Sequence, residues 1–149
     1  MTVEQGGQAV RAFVVEDNPV DVTMLRLALE QEPTWRVEMT VVEDGERAIS
    51  RLLDTAEGKP DLVILDLNLP RRDGTEVLQT IRGTPALRHL LVAILSSSPE
   101  DVIQEKLTAA GVLADVHFTK SCQVDDFLRL GGVLRRWYER ETSVRQKLQ

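Results

Sequence analysis

The chain has 149 residues, 42% hydrophobic and 28% charged, with 18 Lys+Arg against 24 Asp+Glu and a formal net charge of −6. That length suits one domain with a single sizeable core, and the acidic balance argues against a surface that grips nucleic acid. The longest uninterrupted apolar run, Leu90 to Leu95, is far too short to span a bilayer, and Met1 to Gln8 lacks an apolar signal segment.

One cysteine, Cys122, excludes an internal disulfide and fits a reducing cytoplasm. No C-x-x-C, H-E-x-x-H or Walker-type glycine loop is present.

Residues 1–10 are rich in Gly and Gln and read as a flexible N-terminus. Arg11 to Val15 is a short apolar strand running directly into Glu16-Asp17. Asn18-Pro19 then starts a helix to about Gln31: Asn caps, Pro takes the first helical position, and Asp21 favours the positive end. Trp35 to Val41 alternates and predicts a half-buried second strand. Gly45 opens a second helix with Ala48, Ile49, Leu52, Leu53 and Ala56 on one face, stopped by Gly58-Lys59-Pro60.

Asp61 to Leu65 is a third strand ending at Asp66, and its unbroken apolar run is that of a strand buried on both faces. Residues 71–74 form a turn into a third helix carrying Val77, Leu78 and Ile81. Leu90 to Leu95 is the fourth strand, followed by Ser96-Ser97-Ser98, with Ser98 expected to cap a fourth helix lined by Val102, Ile103, Leu107 and Ala110. Asp115 to Phe118 is a short fifth strand ending near Lys120. Ser121 or Cys122 opens a last helix with Val124, Phe127, Leu128, Leu134 and Tyr138 on one face, and the chain is polar from Thr142.

Strands alternating with helices imply an α/β fold with a doubly wound parallel sheet, whose site lies at the carboxyl ends of the strands. At those ends stand Glu16 and Asp17, then Asp66, then Ser96 and Ser97, then Lys120. Taken alone, an aspartate at a strand end is more often a helix cap or a solvent-facing group. Three carboxylates converging on one crevice, however, raise one another's pKa unless a cation neutralises them, and such an all-oxygen set suits Mg²⁺ or Mn²⁺. A metal, an ammonium and a hydroxyl together can hold a phosphoryl group against a nucleophilic Asp66.

Val14-Val15-Glu16-Asp17-Asn18, Leu65-Asp66-Leu67-Asn68-Leu69-Pro70 with Asp73-Gly74, Ser96-Ser97 and Thr119-Lys120 resemble the receiver domain of two-component response regulators. The resemblance implies a flavodoxin-like five-stranded sheet of order 2-1-3-4-5 with five helices, a receiver domain over residues 11–141, and a polar tail over 142–149 with no output domain. It further implies phosphoryl transfer from a sensor histidine kinase to Asp66 in the cytoplasm. Glu16 (through water), Asp17, Asp66 and the Asn68 backbone carbonyl would then serve Mg²⁺ (or Mn²⁺). Ser96 would be the switch hydroxyl, and Lys120 would pair with a phosphoryl oxygen. Ser97 is either a second hydroxyl of the catalytic site or a small residue that only leaves room for water or phosphate.

Two positions depart from the family's pattern. Ser121 stands where proline usually follows the lysine. A cis bond without proline costs about 2.5–4 kcal/mol, so the expectation is a trans bond, or a strained cis one held by the site. His117 stands where Tyr or Phe usually couples to the switch hydroxyl; as a switch residue it would swing in the same way while adding a titratable ring, and otherwise it reads as a partly exposed strand residue.

Lys120-Ser121, the helix ending in Trp137-Tyr138 and the start Glu16-Asp17-Asn18-Pro19 resemble, more narrowly, single-domain receivers paired with bacteriophytochrome kinases. Leu130, Val133 and Trp137 form a flank beside the core stripe of the last helix. Since one helix buries one stripe against a sheet, the flank suggests a homodimer through the fourth helix, fifth strand and fifth helix. Gly131-Gly132 within that helix suggests close packing or a kink.

Two other functions compete. An aspartate-nucleophile phosphohydrolase would resemble Asp-x-Asp with a second acid, but position 68 is Asn, which disfavours turnover of external substrates. A phosphorylation-independent dimer module would usually lack the acceptor or the lysine, and both are present.

Overall fold

The computed structural model describes residues 9–148 apart from Thr55, Glu57 and Arg72. Strands and helices alternate along it: β1 (Val10–Val15), α1 (Pro19–Glu30), β2 (Val37–Val42), α2 (Gly45–Leu53), β3 (Leu62–Leu65), α3 (Gly74–Gly83), β4 (Leu91–Ser96), α4 (Glu100–Ala110), β5 (Val116–Thr119) and α5 (Val124–Lys147). Residues 1–8, expected to be a loose N-terminus, lie outside the described residues. No helix of the described residues is long and apolar enough to cross a membrane.

All strand pairs are parallel, and the sheet order is β2-β1-β3-β4-β5, as expected. The apolar runs explain which strands are central. Every residue of β3 and β4 is buried, whereas β2 alternates half-buried and exposed positions, the pattern of an edge. Because side chains alternate along a strand, the central strands split into two cores. Phe13, Val15, Val63, Leu65, Val92 and Ile94 meet α2, α3 and α4. Ala12, Val14, Leu62, Ile64, Ala93 and Leu95 meet α1 and α5. Strand order reverses between β1 and β3, and there the register sets Val15 beside Leu65. Glu16 and Asp66, the next residues, therefore leave the sheet side by side.

Local chemistry at the helix ends explains the loop geometry around that point. Asn18 caps α1, its Oδ1 accepting from the Val20 and Asp21 N–H groups at 2.9 and 3.4 Å. Asp73 and Glu76 form a reciprocal capping box at α3. Gly74 has no side chain for a strict reason: a Cβ there would lie 2.4 Å from the Asp66 carbonyl oxygen. The start of α3 is thus pressed against the backbone that carries Asp66.

Several details differ from the sequence expectations. Ser98 does not cap α4: its N–H donates to Ser96 Oγ at 3.1 Å, and extended Pro99 takes the cap position instead. Ser121 and Cys122 precede α5, which starts at Val124; Ser121 Oγ accepts from the Gln123 N–H at 3.0 Å and shapes the turn before it. Leu53, Val102 and Val124, expected on buried faces, are exposed; each lies in the first or last turn of its helix.

The polar stretch from Thr142 continues α5 to Lys147. Arg145 there donates to the His89 carbonyl at 2.5 Å and lies 3.7 Å from Asp115. These bonds substitute for the apolar stripe that the sequence lacks in this turn.

Trp137 and Leu130, expected on a free flank, pack into the α1/α5 core. Trp137 meets Phe118 edge-on, with centroids 6.2 Å apart. The apolar arc of α5 is wider than one narrow stripe because Phe118, on the edge strand, extends the surface it covers. Of the three flank residues only Val133 is exposed.

Candidate functional site

The carboxyl ends of β1, β3, β4 and β5 bring together Glu16, Asp17, Asp66, Ser96 and Lys120. Glu16 and Asp66 are buried and Asp17 is exposed. Oxygens of these three carboxylates lie within 4.8 Å of one another. Lys120 reaches in from the end of β5, its backbone N–H bonded to the Ser96 carbonyl at 2.8 Å. Its ammonium lies 2.6 Å from Glu16 Oε1, 2.8 Å from Asp21 Oδ2 and 3.2 Å from Asp66 Oδ2.

Asp66 itself is held at both ends. Its N–H donates to the Val15 carbonyl at 3.0 Å, and its Oδ1 accepts from the Asn68 N–H at 3.0 Å. One carboxylate oxygen is thus tied to the loop and the other faces the lysine. Glu16 Oε2 accepts from the Asn18 N–H at 3.1 Å.

The electrostatics reflect three carboxylates around one ammonium, with Asp17 close to two of them. Burial, with the Asp66 charge adding to it, pushes the Glu16 carboxyl up to about 7, even though the bond from Lys120 works the other way. Burial tends to lower the Lys120 ammonium, but bonds to Asp21 and Glu16 and the charges of Asp66 and Glu16 outweigh it and hold it above the ordinary lysine value. A buried acid raised this far marks a site short of positive charge. Three converging carboxylates and an exposed Asp17 on the solvent side fit a hard divalent cation such as Mg²⁺ or Mn²⁺.

Ser96 is fully buried, and its Oγ accepts from the Ser98 N–H. Ser97 points to solvent. His117 pairs in register with Ile94 on the edge strand. It is half-buried, and its Nε2 is buried without a partner among the described residues. Burial pushes its ring below the usual histidine value, against the opposing charge of Glu100. The Lys120–Ser121 bond is trans, since no described peptide bond is cis.

Two contributors escape a reading of the sequence. Asp21 looks there like nothing more than a charge at the start of α1, yet it holds Lys120. The signal lies in its position: side chains on a helix lean toward the N-terminus, so the first turn of α1 overhangs the strand ends. Lys106 of α4 donates to Asn68 Oδ1 at 2.8 Å, a contact from a helix to the loop after β3 that no local spacing announces.

Known proteins resemble this chain in sequence and fold. The family model for the response regulator receiver domain matches residues 12–130. Response regulator Rcp1 of Synechocystis is 29% identical over 135 residues, covering 87% of this chain and 90% of its own. The transcriptional regulatory protein TrcR of Mycobacterium tuberculosis is 30% identical over 131 residues, 87% of this chain, and the chain spans only 47% of TrcR. Among solved structures, the phosphorylated cyanobacterial phytochrome response regulator RcpA superposes with a TM-score of 0.76 at 30% identity, covering 87% of this chain and 94% of that one. The fold, the site at the strand ends and the match over most of its length establish that this chain belongs to the response regulator receiver domain family.

Proposed function

We propose that the chain is a response regulator that accepts a phosphoryl group on Asp66 from a sensor histidine kinase. The observation that carries this reading is Asp66 itself: a buried carboxylate at the end of a central strand, one oxygen fixed by Asn68 and the other 3.2 Å from the ammonium of Lys120. In the transfer, an Asp66 oxygen attacks phosphorus. The P–N bond to the kinase imidazole breaks, and the imidazole leaves with the electron pair.

Glu16, Asp17, Asp66 and the Asn68 carbonyl would hold Mg²⁺ (or Mn²⁺), which when bound neutralises charge on the transferring group. Lys120 neutralises a further phosphoryl oxygen, and the tied Asp66 Oδ1 leaves the other oxygen to react. Ser96 would turn toward the phosphoryl group, giving up its bond from the Ser98 N–H, and His117 is the bulky residue next to follow that movement. The similarity to Rcp1 and RcpA supports a phytochrome-type kinase as the donor. A homodimer through α4, β5 and α5 belongs to the same reading, with exposed Val133 as its apolar contact.

Incubation with acetyl phosphate and Mg²⁺ should add one acid-labile phosphoryl group, read by intact mass, and Asp66→Asn should abolish it. Labelling that persists in Asp66→Asn would rule out the assignment. Sedimentation showing a monomer at micromolar concentration, with and without beryllofluoride, would remove the dimer.

A further inference from the structure

The Lys120 ammonium donates three hydrogen bonds, and carboxylates take all of them: Glu16 at 2.6 Å, Asp21 at 2.8 Å and Asp66 at 3.2 Å. Two of these partners have other work. Glu16 and Asp66 belong, with Asp17, to the carboxylate cluster that fits a divalent cation, and Asp66 is also the acceptor. Asp21 lies outside that cluster. It stands on the first turn of α1, where the Asn18 cap holds its backbone N–H at 3.4 Å. The lysine and Asp21 side chains are 9% and 22% exposed, so water does not readily replace one for the other.

We infer that Asp21 is a positioning residue for Lys120: it keeps the ammonium over Asp66 when Glu16 and Asp66 are committed to the metal and the phosphoryl group. Without it, a nearly buried cation on a flexible four-carbon stem has no fixed protein partner once Glu16 and Asp66 turn to the metal, and it is not held in place to meet the incoming phosphoryl oxygen. Asp21 also ties the end of β5 to α1, the helix that packs against α5. This inference rests on the reading of Asp66 as phosphoacceptor.

The test compares wild type with Asp21→Ala, Asp21→Asn and Asp21→Glu, with Asp66→Asn as the control for the acceptor. The first readout is the initial rate of acid-labile labelling by acetyl phosphate and Mg²⁺. The second uses metal-free protein: acylation of individual lysines by an N-hydroxysuccinimide ester, resolved by mass spectrometry, with exposed Lys59 as internal reference.

Asp21→Ala should label about ten- to a hundredfold more slowly, the range expected for losing one hydrogen bond between charged groups, and its Lys120 should acylate faster while Lys59 does not change. Asp21→Asn, which keeps the shape and folds most conservatively, should lose less, and Asp21→Glu should regain most of both signals. Wild-type labelling in both Asp21→Ala and Asp21→Asn overturns the inference. So does slower labelling with unchanged Lys120 acylation, since the effect would then be pocket charge alone. An unlabelled wild type, or a labelled Asp66→Asn, instead overturns the assignment of Asp66 and the inference with it.

Discussion

Glu16 is a residue whose ionisation the fold alters strongly, raised from an ordinary 4.5 to about 7 by burial and the neighbouring Asp66. For an acid raised in the folded state, the stabilisation is fully present below about 4.5 and is lost as pH rises through about 7. Glu16→Gln removes that dependence. In metal-free urea unfolding its stability relative to wild type should rise between pH 5 and pH 8, by up to about 3 kcal/mol. The same substitution should weaken Mg²⁺ binding at pH 8, because one carboxylate of the site is gone.

Arg71 is a second residue under strain. It holds φ at 66°, a conformation that costs a side-chain-bearing residue about 1–2 kcal/mol. Its ion pair with Glu46 spans 3.9 Å between exposed groups and offsets little. Arg71→Asn, which tolerates that backbone, should raise stability by up to about 1 kcal/mol in thermal or urea unfolding.

Among the elements, α5 is the one whose sequence is most easily misjudged. Two glycines in mid-helix cost about 1 kcal/mol each against alanine and suggest weakness. Their neighbours give them opposite meanings. A Cβ on Gly131 would lie 2.1 Å from the Ala28 carbonyl oxygen, so α1 and α5 touch through bare backbone. A Cβ on Gly132 would meet only side-chain ends, the Glu32 carboxylate at 3.1 Å and the Arg136 side chain at 3.2 Å. Gly131→Ala should destabilise by about 3 kcal/mol or more, as overpacking against backbone does. Gly132→Ala should be neutral, or stabilising by up to about 1 kcal/mol. Equal urea midpoints for the two variants would contradict this account.

At the scale of the molecule, the sheet exists to set charges side by side that water would otherwise keep apart. The metal-free protein carries that repulsion as a stability cost, so a bound cation should stabilise it strongly. At about a hundredfold excess of Mg²⁺ over its Kd the gain is about 2.7 kcal/mol. The resulting rise in melting temperature should be larger at pH 8 than at pH 5, where Glu16 keeps its proton, and should largely vanish in Asp17→Asn. Thermal unfolding with and without Mg²⁺ at the two pH values reads both effects.

The strands, their order of burial and the place of Asp66 at the end of a buried strand were legible from residue order, because they depend on periodicity, caps and the residue that ends an apolar run. Leu62 to Leu65 reads as a buried strand, and the carboxylate after it stands out only beside the other groups at the strand ends. The role of Asp21, the contact of Lys106 with Asn68, the inward turn of Trp137 and the different meanings of Gly131 and Gly132 were not legible. Each depends on distances between elements far apart in the chain, which no local pattern encodes. The sequence by itself determined which groups stand at the strand ends. Only the tertiary structure decided which carboxylates Lys120 joins, because that choice is made where α1 overhangs the end of β5.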